Sequence, residues 1–231
     1  MTMMTWIDSL TNAIGSWTPL FLQGTWVTAK LLALSSLAGT ILAVPLALCR
    51  NARSPALRAS AQSYSVFFRG TPLLVQIFLL YYGLAQFSFI RDSLLWPLVR
   101  DAFPCALIAL TLNMAAYVGE VINGGIRAVP LGEREAAMAM GMSTALMYRR
   151  IILPRAFRIM LPALSNEVVI QLKSTALAST VTVMDLTGIG RRLADRTYST
   201  EPLLIAGAIY VLFAYGIARL FRGLEYRYVR R

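Results

Sequence analysis

No histidine occurs among the 231 residues, and only two cysteines do. Without histidine there can be no imidazole-ligated metal site and no imidazole general base. Cys49 and Cys105 fit no metal-binding spacing. Charge is scarce: 14% of residues are charged, against about 25% in an ordinary soluble domain. Acid is the scarcer sign, with 11 Asp and Glu against 22 Lys and Arg. The pattern G-x-x-x-x-G-K-[ST], which cradles nucleotide phosphates, is missing, so ATP hydrolysis by this chain alone is not expected. The first 18 residues carry one charge, Asp8, with no basic segment and no small-residue cleavage pattern after them. That speaks against a removable signal peptide and for a first span. No internal repeat, low-complexity tract or flexible linker stands out.

Hydrocarbon is what the chain has in excess. Apolar residues make up 57% and the mean hydropathy is +0.61. A soluble core could not hide this much, so lipid is the implied solvent. Five stretches stand out: 25–49, 59–89 (interrupted by Arg69), 103–126 (with Asn113 and Glu120), 156–183 (with Glu167, Gln171 and Lys173) and 202–220. Each can supply the roughly 20 residues that cross a bilayer. Backbone polar groups must be satisfied within lipid, which leaves helices or closed barrels. These runs do not alternate as barrel strands do, so the expected fold is an all-α polytopic membrane protein. The expected organisation is an N-terminal segment 1–24, a membrane domain 25–221 with a cytoplasmic loop 127–154, and a basic tail 222–231.

The net charge of +11 could mean nucleic acid or could mean topology. The loops decide. Arg50, Arg53 and Arg58 follow the first stretch. Arg127, Arg134, Arg149, Arg150, Arg155 and Arg158 follow the third. Arg219, Arg222, Arg227, Arg230 and Arg231 end the chain. The other side holds Arg91, Arg100, Arg191, Arg192 and Arg196. Cytoplasmic loops carry the excess, which places the N-terminus outside and the C-terminus in the cytoplasm. Nucleic-acid binding is not needed to explain the charge. Cys49 and Cys105 then lie on opposite faces of a core about 30 Å thick and cannot pair.

The loop after the third stretch is the most specific signal. Pro130 precedes Gly132-Glu133-Arg134-Glu135-Ala136-Ala137-Met138-Ala139-Met140-Gly141. Ala, Met and Glu favour helix, and acidic residues in a first turn suit the helix dipole. Gly141 permits a turn, and Ser143 can cap a second short helix that leads to Ile151-Ile152-Leu153-Pro154. A helix, a break and a second helix make a rigid knob for a soluble partner. Glu135-Ala136-Ala137, then Gly141, then Ile151-x-Leu153-Pro154 resembles the EAA loop of bacterial ABC importer permeases. In that family the loop docks into a cleft of the cytoplasmic ATPase and passes its closure to the membrane helices. Arg69-Gly70-Thr71-Pro72-Leu73-Leu74-Val75-Gln76 resembles the signature of polar amino acid permeases. Ala116-Tyr117-Val118-Gly119-Glu120 and Asn166-Glu167 also stand where such permeases carry them. The stretch Asn166 to Ser179 is similar to subunits that handle histidine, lysine, arginine, ornithine or opines. The chain departs from many relatives at Glu133, where they have Gln, and at Asn123, where they have Arg. Both lie near the loop and put coupling details in question rather than substrate.

The resemblance implies the five-helix type I importer permease fold and alternating access. It implies two copies of an ABC ATPase, which would hold ATP and Mg, with no cofactor on this chain. It implies a second, related permease subunit and an extracytoplasmic amino acid-binding protein. Glu135, Ala136, Ala137, Gly141, Ile151, Leu153 and Pro154 would couple to the ATPase. The substrate would be a basic amino acid or opine, or else another polar amino acid such as glutamine or glutamate. An intramembrane enzyme is disfavoured, because Glu167 has no recognisable nucleophile or base beside it. A channel or passive scaffold would leave the loop without purpose.

Ionisable groups inside spans are costly and are usually paired or functional. At about 1.5 Å per residue, Arg69 and Glu120 fall at similar depth and are expected to pair, fixing the second span against the third. Glu167 falls near the midplane, with Gln171 and Ser174 on the same face. Asn113 lies at comparable depth, Gln76 somewhat further out, and Asn166 beside Glu167. These groups could line a substrate pathway, with Glu167 meeting a guanidinium or ammonium, or they could only bond helix to helix. Lys30 is expected to snorkel to the interface, and Lys173 to lie in the outer leaflet. Pro154 and Pro162 bracket the start of the fourth span, and Pro154 is expected to break the chain between surface helix and span. Tyr81, Tyr82, Trp96, Trp6 and Trp17 fit an aromatic interface belt.

Overall fold

The computed structural model describes residues 3–94 and 96–228, with side chains from residue 15 onward. Trp6, Arg230 and Arg231 therefore lie outside the described side chains. The elements are helices α1 (Met3–Arg50), α2 (Pro55–Gly70), α3 (Leu73–Phe78), α4 (Ser88–Arg91), α5 (Trp96–Val99), α6 (Ala102–Arg127), α7 (Leu131–Ala139), α8 (Thr144–Met147), α9 (Leu153–Thr175), α10 (Leu186–Thr197) and α11 (Glu201–Tyr228). No strand occurs among the described residues.

The first helix begins well before residue 25 and has 48 residues, about 72 Å of helix. Pro19 and Pro45 lie within it without ending it. By length and composition three helices can cross a membrane: Gly15–Arg50, Ala102–Arg127 and Glu201–Tyr228. The expected second span is not one straight helix. α2 ends at Gly70, and the chain turns by 100° before Leu73–Gln86. Pro72 explains this, because the residue before a proline is pushed out of the helical region. Thr71 is extended, at φ −107° and ψ 143°. A π turn over Leu79–Gly83 and a 3-10 turn over Leu84–Gln86 complete the segment. The bent pair passes the same test as a unit.

The fourth stretch forms α9, a 23-residue helix about 34 Å long. It is too polar to be counted by composition alone, because one of its faces lines a cavity rather than lipid. Pro154 does not break the chain. α8 runs through a π turn at Tyr148–Ile152 straight into α9, with helical dihedrals at each junction. The wider turn accommodates a residue that has no N–H to give. α9 ends in a 3-10 turn, Ala176–Val181, and a left-handed Thr182.

α1 and α6 form the spine and run parallel. Gly39 makes this possible: a Cβ there would lie 2.8 Å from Met114 and 3.1 Å from the Thr111 carbonyl oxygen. Small residues at such crossings let membrane helices approach closely. Packed layers follow the spine. Phe21, Leu186, Ile189, Leu193 and Ala206 join α1, α10 and α11 at one end. Leu31, Ile77, Ala106, Leu110 and Val181 come next, then Ala43, Met114 and Val118. Ile126, Val129, Ala137, Met147, Ile152 and Ala156 seat the loop at the other end. Trp17 packs against the first of these layers instead of standing free. Tyr81 and Tyr82 meet edge to face, with ring centroids 4.8 Å apart and planes inclined at 67°. Lys30 lies over the Trp26 ring at 5.1 Å, a cation–π contact between two exposed side chains.

Candidate functional site

A cavity of about 350 Å³ opens where the α2–α3 break faces α6 and α9. Its wall includes Arg69, Thr71, Asn113, Tyr117, Glu167, Gln171 and Ser174. The break creates it. A helix continued through Gly70-Thr71-Pro72 would fill the space with its own turn. Gln76 holds the break in place, because its buried amide donates to the Phe68 carbonyl at 3.0 Å and the Thr71 hydroxyl at 2.7 Å. Asn113 ties the same corner to α6, donating to the Phe68 carbonyl at 2.9 Å. Gln171 donates to the Ser35 hydroxyl at 2.8 Å and the Leu110 carbonyl at 3.1 Å, joining α9 to α1 and α6.

The sequence-expected residues therefore divide. Asn113, Glu167, Gln171 and Ser174 come together on the cavity. Gln76 sits behind the wall as a brace. Asn166 is exposed and lies off the cavity, about 100° around α9 from Glu167.

The expected Arg69–Glu120 pair is not formed. Glu120 pairs with Arg50, whose Nε lies 3.0 Å from Oε1. The directed hydrogen bond comes from Arg50 Nη2, at 3.4 Å from Oε2. The reason is the length of α1. The helix continues unbroken to Arg50, so a residue read as part of a loop sits against α6. Asn123 belongs to this cluster: it accepts from Asn51 at 3.0 Å and donates to Glu120 at 3.5 Å. Arg69 instead stacks on Tyr117, 5.2 Å from the ring centroid, and shares the cavity with Glu167, on which its charge acts. Among the described residues the ion pairs are Arg50–Glu120, Arg100–Asp101 and Arg155–Glu133. Arg69, Glu167 and Lys173 are in none of them. One positive and one negative group thus face the same small polar space, unneutralised by contact.

At the far end, α7 and α8 form the expected helix, break and helix. Gly141 has φ +71°, which an L side chain adopts only with strain. Its N–H donates to the Met138 carbonyl at 2.9 Å, and Met142 N–H to the Ala137 carbonyl at 3.1 Å. Together these close a Schellman motif. Ser143 caps α8, accepting from Leu146 N–H at 3.4 Å. Of the marker residues, Ala137 is buried and Ile151 packs against its layer. Glu135, Ala136, Leu153 and Pro154 are exposed. Arg134 donates to the Ile126 carbonyl, and Glu133 pairs with Arg155 at 3.3 Å. The motif did not flag Leu131, Met138 and Met140, which are 71%, 57% and 79% exposed. Leu131 and Met138, seven apart, share a helix face. Apolar groups clustered on a loop outside the bundle mark a contact surface.

Residues 35–230 match the family model described as the binding-protein-dependent transport system inner membrane component. The chain belongs to that family. It is a multi-pass membrane protein and a permease component. The octopine transport system permease protein OccM of Rhizobium meliloti is 50% identical, over 90% of this chain and 89% of its own length. The histidine/lysine/arginine/ornithine transport system permease protein HisM of Salmonella typhimurium is 43% identical, over 90% of this chain and 89% of its own. A crystal structure of an amino acid ABC transporter with histidines superposes with a TM-score of 0.84 at 36% identity, covering 93% of this chain and 97% of that one. The inward-facing MetNI methionine transporter shares the fold, at TM-score 0.75 and 19% identity. The all-α permease architecture is thereby established.

Proposed function

We propose that this chain is the membrane subunit of an ATP-driven importer for cationic amino acids or opines, and that the Arg69–Glu167 cavity is its substrate pathway. One observation carries the reading: a guanidinium and a carboxylate face one polar space of about 350 Å³ without pairing to each other. An amino acid with a basic side chain is the complement, its carboxylate toward Arg69 and its guanidinium or ammonium toward Glu167. Thr71, Asn113 and Ser174 add polar groups near the two charges. Octopine has a guanidinium and two carboxylates and fits the same polarity. The names of the relatives support the same substrate class.

In this reading α1, the bent α2–α3 pair, α6, α9 and α11 make five crossings. The N-terminus lies outside, and α7–α8 lie in the cytoplasm. Two ATPase copies close on ATP and Mg and push the α7–α8 knob through Leu131, Met138 and the exposed marker residues. The Schellman turn and the Ala137 layer transmit that push to α6 and α9. A second permease subunit, related but distinct, completes the pathway, and an extracytoplasmic binding protein delivers the substrate.

The test is uptake by the complete complex in proteoliposomes. Glu167→Gln should raise the KM for arginine about tenfold or more, the effect of truncating one partner of a desolvated charge pair. Uptake of a neutral amino acid, where measurable, should be unchanged. An unaltered KM for arginine would remove Glu167 from the pathway.

A further inference from the structure

Helix α10 was not evident from hydropathy, and its position is informative. Its apolar face, Leu186, Ile189 and Leu193, packs on Phe21 of α1 and Ala206 of α11. The approach is close. A Cβ at Gly24 would lie 2.9 Å from Ile189 and 3.0 Å from the Asp185 carbonyl oxygen, and one at Gly190 would lie 3.2 Å from Ala206. Asp185 is fully buried and caps the helix, accepting from Gly188 N–H at 2.8 Å and from the Tyr210 hydroxyl at 3.2 Å. Leu186 N–H donates to the Thr28 hydroxyl at 3.0 Å. The helix is thus fixed to the bundle. Thr28 and Arg50 are separated by about 33 Å of α1, so α10 lies a full bilayer thickness from the α7–α8 end.

The other face of α10 is basic. Arg191, Arg192, Asp195 and Arg196 are exposed, and their i, i+4 spacing puts them on one stripe. They border a shallow concavity of about 430 Å³ with Ser179, Thr182 and Met184. Thr182, a β-branched residue at φ +67°, turns the chain at its edge. Among the described residues none of the three arginines is in an ion pair, whereas Arg100 is paired with Asp101. Arginine is depleted on the outer side of membrane proteins, yet three of the five outer arginines fall within six residues here. The bundle does not use their charge.

We propose that this stripe is the surface on which the transporter's substrate-binding protein docks, through an acidic patch on that protein. The family operates with a binding protein. A rigid cationic face at the outer end offers it the electrostatic complement that sets orientation and association rate. The proposal rests on the importer reading and on its placement of α10 outside.

The experiment uses the complete complex in nanodiscs of neutral lipid. ATPase activity is titrated with the transporter's own binding protein, loaded with substrate. The triple variant R191E/R192E/R196E should need about tenfold more binding protein for half-maximal stimulation, the usual consequence of reversing rim charges. Its maximal rate and its basal rate without binding protein should match wild type, which shows that the variant is folded. The wild-type half-saturating concentration should rise with salt, and the variant's should not. Equal half-saturation and equal salt dependence would overturn the docking surface while leaving the importer reading intact. Failure of the binding protein to stimulate even the wild type would overturn both. Equal half-saturation, with activity that follows the anionic-lipid content of the nanodisc in wild type alone, would assign the stripe to lipid headgroups and overturn the proposal.

Discussion

Gly141 gives the sharpest test of how the loop is built. It sits at φ +71°, and no atom lies within 4 Å of a Cβ placed on it. Any cost of substitution is therefore backbone strain and not collision. A left-handed conformation costs an L residue about 1–2 kcal/mol, less for Asn and Asp, whose side chains tolerate it. The ratio of capped to uncapped loop should then fall about five- to thirtyfold, since 1.4 kcal/mol is about tenfold. The order expected is Gly, then Asn, then Ala, then Val, with the β-branched residue worst. The assay is amino acid transported per ATP hydrolysed by the whole complex in proteoliposomes. Basal hydrolysis should persist while the transport ratio falls in that order. Gly141→Asp should exceed Asn in damage, because it adds charge at the tip of the knob. Val behaving like Gly would refute the conformational argument. Asn as poor as Val would replace it with a steric conflict at the partner's surface.

Asp185, outside the spanning segments, has its carboxyl pushed up to about 6 by burial. A raised folded-state value means the neutral form is favoured in the native state. The associated stability is fully present below the ordinary carboxylate range and is lost as pH rises through about 6. About two units correspond to about 3 kcal/mol. Thermal melts of the purified protein should fall between pH 4.5 and 7 in wild type and stay flatter in Asp185→Asn, whose oxygen still caps Gly188; parallel slopes would dismiss the buried charge as their origin. Gly39→Ala drives a methyl into Met114 and should destabilise by about 1–3 kcal/mol. Gly207→Ala, with nothing within 4 Å, should melt like wild type, and equal melting of the two variants would contradict the close α1–α6 contact.

Much of the protein is written locally. Hydropathy marks α1, α6 and α11, because a segment in lipid must satisfy its backbone by itself and so declares itself by composition. Pro130, Gly141 and Ser143 announce the α7–α8 loop through dihedral and capping preferences that act within a few residues. Glu167, Gln171 and Ser174 share a face by helical period alone. The partners of charges are another matter. Arg69 lies on the cavity with Glu167, and Glu120 takes Arg50, because the turn at Thr71-Pro72 and the unbroken run of α1 decide which helix ends meet. Depth along a straight span could not reveal either. Gln76 became a brace rather than a lining group for the same reason: the backbone it satisfies exists only where the helix is broken. α10 escaped notice because its apolar face is narrow and its other face polar, so no hydropathy run betrays it. Local chemistry fixed the helices and the loop. Tertiary contact assigned each buried charge its neighbour, since electrostatic and hydrogen-bond partners are set by distances between segments far apart in the chain.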